Sequence, residues 1–350
     1  MKAIVCEAYG DPEALRLNDV EKPTPSEGEV LLRVHAGSLN ALDWHLMKGR
    51  PPFVRLFLGL KKPKRKRPGN DVAGRVESVG RGVTRFKIGD DVFGLCRGSM
   101  AEYASAKEPA LVAKPANISF EEAASVPVAG LTALQGLRDH GRIQPGQRVL
   151  INGAAGGVGT FAVQIAKSFG AEVTGVCSTA NIEMIRAIGA DHVVDYTAAD
   201  FTRGTASYDL LYDLVANHSL SEYRRILSPR GIVVVAGIGG SDGRMGGRRA
   251  GRLLTGMVAS WFGHHKLVMY VTRLSTEDLV TLAGLLQSGK VKPVLDSRYP
   301  LSETSRAMRR LSEGHARGKI VVTVDARRWD SRSKDRGPPH RIADSDRNPP

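Results

Sequence analysis

The sequence predicts a two-domain α/β protein: a turn-rich β domain, then a doubly wound parallel sheet with helices between its strands. Three observations carry this reading. The 350 residues exceed what one hydrophobic core holds comfortably. Residues 1 to about 115 are short branched runs broken by Gly, Pro and Asp, whereas strand-like and helix-like segments alternate from Gln147 onward. A glycine-rich loop stands where the first strand of that second regime meets its first helix.

In the first region, Lys2–Glu7, Leu15–Asp19, Glu29–Ala36, Asp71–Gly80, Asp91–Gly94 and Leu111–Lys114 read as strands. Glu121–Ala124 and the stretch after Pro127 read as helix. The second region gives strand Arg148–Asn152, helix Val158–Phe169, strand Glu172–Cys177, helix Ile182–Ile188 and strand His192–Asp195. Strands Tyr208–Leu214 and Gly231–Ala236 follow, with helix Leu220–Leu227 between them. Thr276–Ser288 and Ser302–Glu313 are amphipathic helices, Lys319–Asp325 a last strand, and the polar tail from Ala326 is expected to be disordered. The domain limits expected are 1–124, 125–262, a return segment 263–325 and a basic tail 326–350.

Composition excludes several classes. Hydrophobic residues make up 42% and charged residues 25%, which suits a globular enzyme and not a fibrous or disordered chain. The net charge of +14 taken alone points toward nucleic acid, but twelve of those charges come from Lys61–Arg67, Ser241–Arg252 and Ala326–Pro350. Two loops and a tail therefore explain the basicity without a nucleic-acid-binding face. Cys6, Cys96 and Cys177 are too few and too scattered for a disulfide framework or a four-cysteine zinc lobe, so a reducing, cytoplasmic setting is expected. No run is long and apolar enough to span a membrane, and residues 1–15 lack the apolar core of a signal peptide.

The loop reads Gly153-Ala154-Ala155-Gly156-Gly157-Val158-Gly159. Aligned on the dinucleotide fingerprint, Ala154, Gly156 and Gly159 take its small-residue positions: a tight turn, a close approach of backbone to pyrophosphate, and helix packed on strand. Amides at the start of the helix supply anion binding. The following strand ends in Ser178, Thr179 and Asn181 with no acid to bond a ribose 2′-hydroxyl, which favours NADP over NAD, although no Arg or Lys stands there to neutralise a 2′-phosphate.

The chain resembles the medium-chain dehydrogenase/reductase superfamily from Met1 to about Val324, and within it the zinc-independent quinone oxidoreductase and enone reductase branch. The marks are SLNALDW (38–44), PGNDVAGRV (68–76), VGRGV (79–83), GDDVFG (89–94), GLTA (130–133) and GKIV (318–321). The resemblance implies a GroES-like β domain, a Rossmann domain, a C-terminal return to the first domain, and a homodimer. Zinc alcohol dehydrogenases of this superfamily place Cys where Asn40 stands and His where Asn70 stands; carboxamides are poor zinc ligands, so no metal is expected. Without a Lewis acid, electron-poor acceptors are favoured: a quinone, or the β-carbon of an α,β-unsaturated carbonyl.

By the same resemblance, Asn40 and Asp43 line the catalytic cleft, with Asn40 bonding the nicotinamide ribose or the acceptor carbonyl. Thr132 contacts the nicotinamide. Ser178, Thr179, Asn181 and Tyr196 surround the adenosine 2′ position, Gly237 and Ile238 back the nicotinamide, and Lys319 completes the site. His45 is the candidate polar group beside the acceptor, against an ordinary structural role. Asp71 is expected to pair with an arginine, and Leu253–Phe262 either lines an apolar pocket or packs in the core. Two rivals stand beside this reading: a zinc-independent alcohol dehydrogenase, and a non-enzymatic nucleotide- or RNA-binding protein on the same fold.

Overall fold

The computed structural model describes residues 1–49, 55–236 and 265–324. Gly237, Ile238, the basic stretch 241–252, the apolar stretch 253–262 and the tail 326–350 lie outside the described residues.

The first region holds β1 (Lys2–Cys6), β2 (Leu15–Asp19), β3 (Glu29–Leu39), α1 (Ala41–Lys48), α2 (Arg55–Leu58), β4 (Asp71–Val79), β5 (Asp91–Leu95), β6 (Tyr103–Lys107) and β7 (Leu111–Ala113). Helices α3 (Phe120–Ala124) and α4 (Pro127–Gln135) lead to β8 (Arg148–Asn152), α5 (Gly157–Ser168), β9 (Glu172–Cys177), α6 (Ile182–Ala187) and β10 (His192–Asp195). Then come β11 (Tyr208–Asp213), α7 (Leu220–Tyr223), β12 (Leu227–Val235), β13 (Lys266–Met269), α8 (Thr276–Gln287), β14 (Leu295–Pro300), α9 (Thr304–Ser312) and β15 (Lys319–Thr323).

The six-stranded sheet runs β10-β9-β8-β11-β12-β13 with every pairing parallel, the doubly wound arrangement expected. Order reverses between β8 and β11, so the crevice at their carboxyl ends is where such a sheet takes a ligand. The other large sheet runs β14-β15-β3-β4-β5-β7, with β6 also on β3. The chain thus returns to its first sheet through β14 and β15, while β13, which lies within the expected return segment 263–325, stays in the parallel sheet.

One hydrophobic cluster joins the two sheets. Ala73, Phe93 and Val321 of the first pack in the same core as Val149 of the second and Phe161 and Ile165 of α5, the helix laid on it. Full burial of a side chain such as Phe161 or Ile165 is worth about 2–3 kcal/mol, so the sheets are held as a unit around the crevice.

Candidate active site

Helix α1 begins the site. Asn40 is its N-cap and Asp43 stands three residues on, the residue pattern of a capping box. Asp43 Oδ2 accepts from the Asn40 backbone N at 2.9 Å, but the Asn40 side chain turns away to a buried polar cluster. There its Nδ2 donates to Asp71 Oδ2 at 2.8 Å and its Oδ1 accepts from Lys319 Nζ at 2.6 Å.

Asp71 is the node of that cluster. Besides Asn40, Oδ2 accepts from Ser38 Oγ at 2.7 Å and lies 3.4 Å from Lys319 Nζ, while Oδ1 accepts from the Val128 backbone N at 3.0 Å. The partner expected from sequence was an arginine; the structure supplies Lys319, 248 residues away, because antiparallel pairing of β15 with β3 brings Ile320 opposite Leu39. Lys319 also donates to the Leu39 carbonyl at 3.0 Å, so its ammonium is committed to protein acceptors and 3% exposed. Burial lowers its pKa, against the pull of Asp71 and Asp43.

Asp43 is also buried. Its Oδ1 accepts from Asn70 Nδ2 at 2.8 Å. Burial, assisted by the Asp71 charge and opposed by the Asn40 amide, Lys319 and Asn70, pushes its carboxyl up to about 6. Asp43 and Asn70 line a cavity of about 290 Å³ whose apolar lining includes Cys6, Leu46, Met47 and Pro68. His45 does not line it; its ring packs edge-on against Trp44. Asn70 is a candidate that sequence reasoning noted only as a replaced zinc ligand. Among the described residues no group of three or more His, Cys, Asp or Glu is arranged to hold a metal.

The glycine-rich loop lies against the same cluster. Gly318 N donates to the Ala155 carbonyl at 2.9 Å, and a Cβ on Gly157 would sit 2.9 Å from Lys319 Cδ. Lys319 therefore runs from the loop to Asn40. Gly159 is obligatory for packing, since a Cβ there would fall 2.2 Å from the Gly153 carbonyl oxygen. Gly156 is different: its Cβ would meet only that same oxygen, at an ordinary 3.5 Å. Val158 follows Gly157 in the first turn of α5, and Ala154 is fixed by its N–H to the Val176 carbonyl.

Thr132, on α4, bonds Thr272 through Oγ1 at 2.8 Å, and its carbonyl accepts from both Tyr212 and Tyr270 hydroxyls. Ser178, Thr179, Asn181 and Tyr196 do come together, at the carboxyl ends of β9 and β10, with Asn181 Nδ2 on Ser178 Oγ at 3.0 Å and Tyr196 55% exposed. An acid joins them that reading β9 alone did not find. Asp195 pairs with Cys177 across the strands, and its carboxylate accepts from the Thr179 and Thr197 hydroxyls, which hold its pKa below the usual carboxylate range. Ala216 sits at φ 57 just past β11, its N–H on buried Asp213, a left-handed residue at the mouth of the crevice that no sequence signal marked.

Comparison with known proteins agrees with this architecture. The alcohol dehydrogenase GroES-like domain family matches residues 26–116 and the zinc-binding dehydrogenase family matches residues 188–322. The chloroplastic quinone oxidoreductase QR1 of Triphysaria versicolor is 35% identical over 92% of this chain and 98% of its own. The 2-methylene-furan-3-one reductase of Solanum lycopersicum is 34% identical over 92% of this chain and 79% of its own. Among solved structures, Escherichia coli quinone oxidoreductase complexed with NADPH superposes with a TM-score of 0.78 at 27% identity, covering 92% of this chain and all of that one. The chain is thus an oxidoreductase and belongs to the quinone oxidoreductase and enone reductase branch of the medium-chain dehydrogenase/reductase family.

Proposed function

We propose that the enzyme reduces quinones or α,β-unsaturated carbonyls with NADPH and without zinc. The observation that carries this reading is the donor set at the cleft: two carboxamides, Asn40 and Asn70, with a buried ammonium, Lys319, in bonding contact with the first. An ammonium against the Asn40 oxygen opposes a dication at that place, and the amides supply none of the thiolate or imidazole ligands zinc prefers. The residues do not fit zinc, and no step is assigned to it.

They do fit a dinucleotide. Gly156 leaves the loop open where a side chain would fill it, the first-turn amides of α5 face that opening, and Ser178, Thr179, Asn181 and Tyr196 form a hydroxyl- and amide-rich rim at the ribose position. Bound there, NADPH supplies a hydride. Asn40 and Asn70 each keep a second Nδ2 hydrogen, and Asn70 lines the cavity; in this reading the two amides orient an acceptor oxygen and stabilise the charge it gains. Hydride addition leaves the product one proton short. Asp43, the acid lining the cavity and titrating near neutrality, is placed to hold that proton. Lys319 acts as a positioning residue for Asn40.

The test is NADPH oxidation with quinones and enones in metal-free buffer containing EDTA. Turnover that persists under chelation supports the reading; complete loss restored by zinc, or oxidation of simple alcohols alone, refutes it. We infer a homodimer, with residues 1–124 and the return strands β14 and β15 building the acceptor side. A reducing cytoplasmic setting is supported by three buried free thiols.

A further inference from the structure

The basic segment Lys61–Arg67, which neither the sequence nor the reaction above puts to use, runs along the cavity. Lys64, Arg65 and Arg67 line it together with Asp43 and Asn70. The segment is anchored at both ends. The Lys66 carbonyl accepts from Cys6 N at 2.7 Å, Pro63 is buried, and the Gly69 carbonyl accepts from Gly98 N at 2.9 Å. The cations thus have a fixed place.

They outnumber the one carboxyl that lines the cavity with them, Asp43. Among the described residues no carboxylate forms an ion pair with any cation of Lys61–Arg67, or with Arg97. Burial lowers the Arg65 pKa and the like charge of Arg97 lowers it further, against the pull of Asp43. The nearby carboxyl, Asp43, accepts from Asn40 N and Asn70 Nδ2, forms no ion pair with these cations, and is pushed up to about 6. A crowded set of unpaired cations beside an apolar floor of Leu46, Met47 and Pro68 is complementary to one kind of molecule, an amphiphilic anion.

We propose that the acceptor is anionic: a conjugated carbonyl whose apolar body fills the cavity and whose carboxylate, sulfonate or phosphate group is held by Arg65 and Lys64. This inference rests on the reductase reading for the identity of the site, and the experiment separates the two. Wild type and the Lys64→Gln/Arg65→Gln double variant are assayed with NADPH against naphthoquinone and naphthoquinone sulfonate, and kcat/KM for the anion is divided by kcat/KM for the neutral compound. That ratio is expected to fall about tenfold in the double variant and to fall with added salt in the wild type, while Arg65→Lys, which keeps the charge, holds it within about twofold. A ratio that is the same in wild type and double variant overturns the proposal. So does loss of salt-sensitive oligonucleotide binding in the variant without a change in the ratio, which would make the segment a nucleic-acid surface. If neither quinone is reduced, the reductase reading fails on its own. Calorimetry with unreactive naphthalene sulfonate then decides the inference: binding weakened about tenfold by the double variant supports it, and equal binding overturns it.

Discussion

Replacing Lys319 by Met tests whether the buried cluster organises the site. The ammonium lies 3.4 Å from Asp71, with side chains 3% and 0% exposed. At that separation and an effective dielectric constant of about 20, attraction is about 5 kcal/mol before desolvation is deducted. Removing one partner of a buried pair costs about 3–5 kcal/mol because the other charge is stranded, and here the Leu39 carbonyl and Asn40 Oδ1 also lose a donor. We expect Lys319→Met to cost about 4 kcal/mol. At an unfolding entropy of about 2.1 cal/mol/K per residue, that lowers Tm by about 5 °C for a chain of this length. Asp71→Asn strands the ammonium instead and is expected to cost a similar amount. The double variant removes both charges, so it should lose at least about 2 kcal/mol less than the sum. Thermal melts of the four proteins followed by circular dichroism measure the cycle. Losses that add to within about 0.5 kcal/mol would show that the two groups are not coupled, and the cluster would then not organise Asn40.

The acid of Asp43 makes a pH prediction. Because its pKa is raised from 3.8 to about 6 on folding, the native chain holds an extra proton between those values and stability falls as pH rises through them. Asp43→Asn, which cannot titrate and needs only a flip of the Asn70 amide, should gain stability relative to wild type by up to about 3 kcal/mol between pH 4 and pH 7; a difference independent of pH refutes the assignment. The same variant should lower kcat about a hundredfold and remove a decline in kcat above about pH 6. Gly156→Ala should fold within about 1 kcal/mol of wild type yet lose nucleotide affinity at least tenfold by calorimetry, whereas Gly159→Ala should fail to fold stably because its Cβ would collide with the Gly153 carbonyl. Asp195→Asn should improve the KM for NADPH relative to NADH several-fold, since it removes a carboxylate beside Thr179; an unchanged ratio would place the 2′-phosphate elsewhere.

What the sequence made legible is what is local. Arg148–Asn152, Glu172–Cys177 and His192–Asp195 have the limits read from their apolar runs and flanking glycines, and Leu15–Asp19 likewise. The parallel sheet followed from the alternation of strands and helices. Strand β6, whose sequence Tyr-Ala-Ser-Ala-Lys has little β-branched character, and β14, Leu-Asp-Ser-Arg-Tyr-Pro, were invisible because their partners β3 and β15 define them. The helix expected over Leu220–Leu227 stops at Tyr223, and Leu227 opens β12 instead, through Ser-Pro-Arg-Gly, a stretch that local signals assign to a turn. Helix α1 was read for its side chains and not as a helix, although Asn40, Asp43 and Gly49 are its caps.

The site divides the same way. Asn40 and Asp43 were singled out by the resemblance carried by the contiguous motif 38–44, and the structure sets them three residues apart at the start of one helix. Asp71 with Lys319, and Thr179 with Asp195, meet only through sheet register, and no spacing announces them. His45 shows the converse: it stands two residues from Asp43, yet helical geometry turns it onto Trp44 and away from the cavity.

The charge of the cluster also bears on which acceptors the cleft can serve. Lys319 and Asp71 form an ion pair at the Asn40 side chain, so their fields largely cancel at the distance of a bound acceptor, and what remains is a set of oriented amide dipoles. Amide donors stabilise an oxyanion that has formed, by a few kcal/mol, but they polarise an unactivated ketone far less than a metal ion does. Hydride addition therefore needs an acceptor whose own conjugation lowers the barrier. Lys64, Arg65 and Arg67, none of them in an ion pair among the described residues, also line the cavity and add a positive potential without a ligand geometry. That potential favours a negatively charged acceptor and, in the transition state, the negative charge arriving with the hydride. A single set of side chains thereby acts on both affinity and rate.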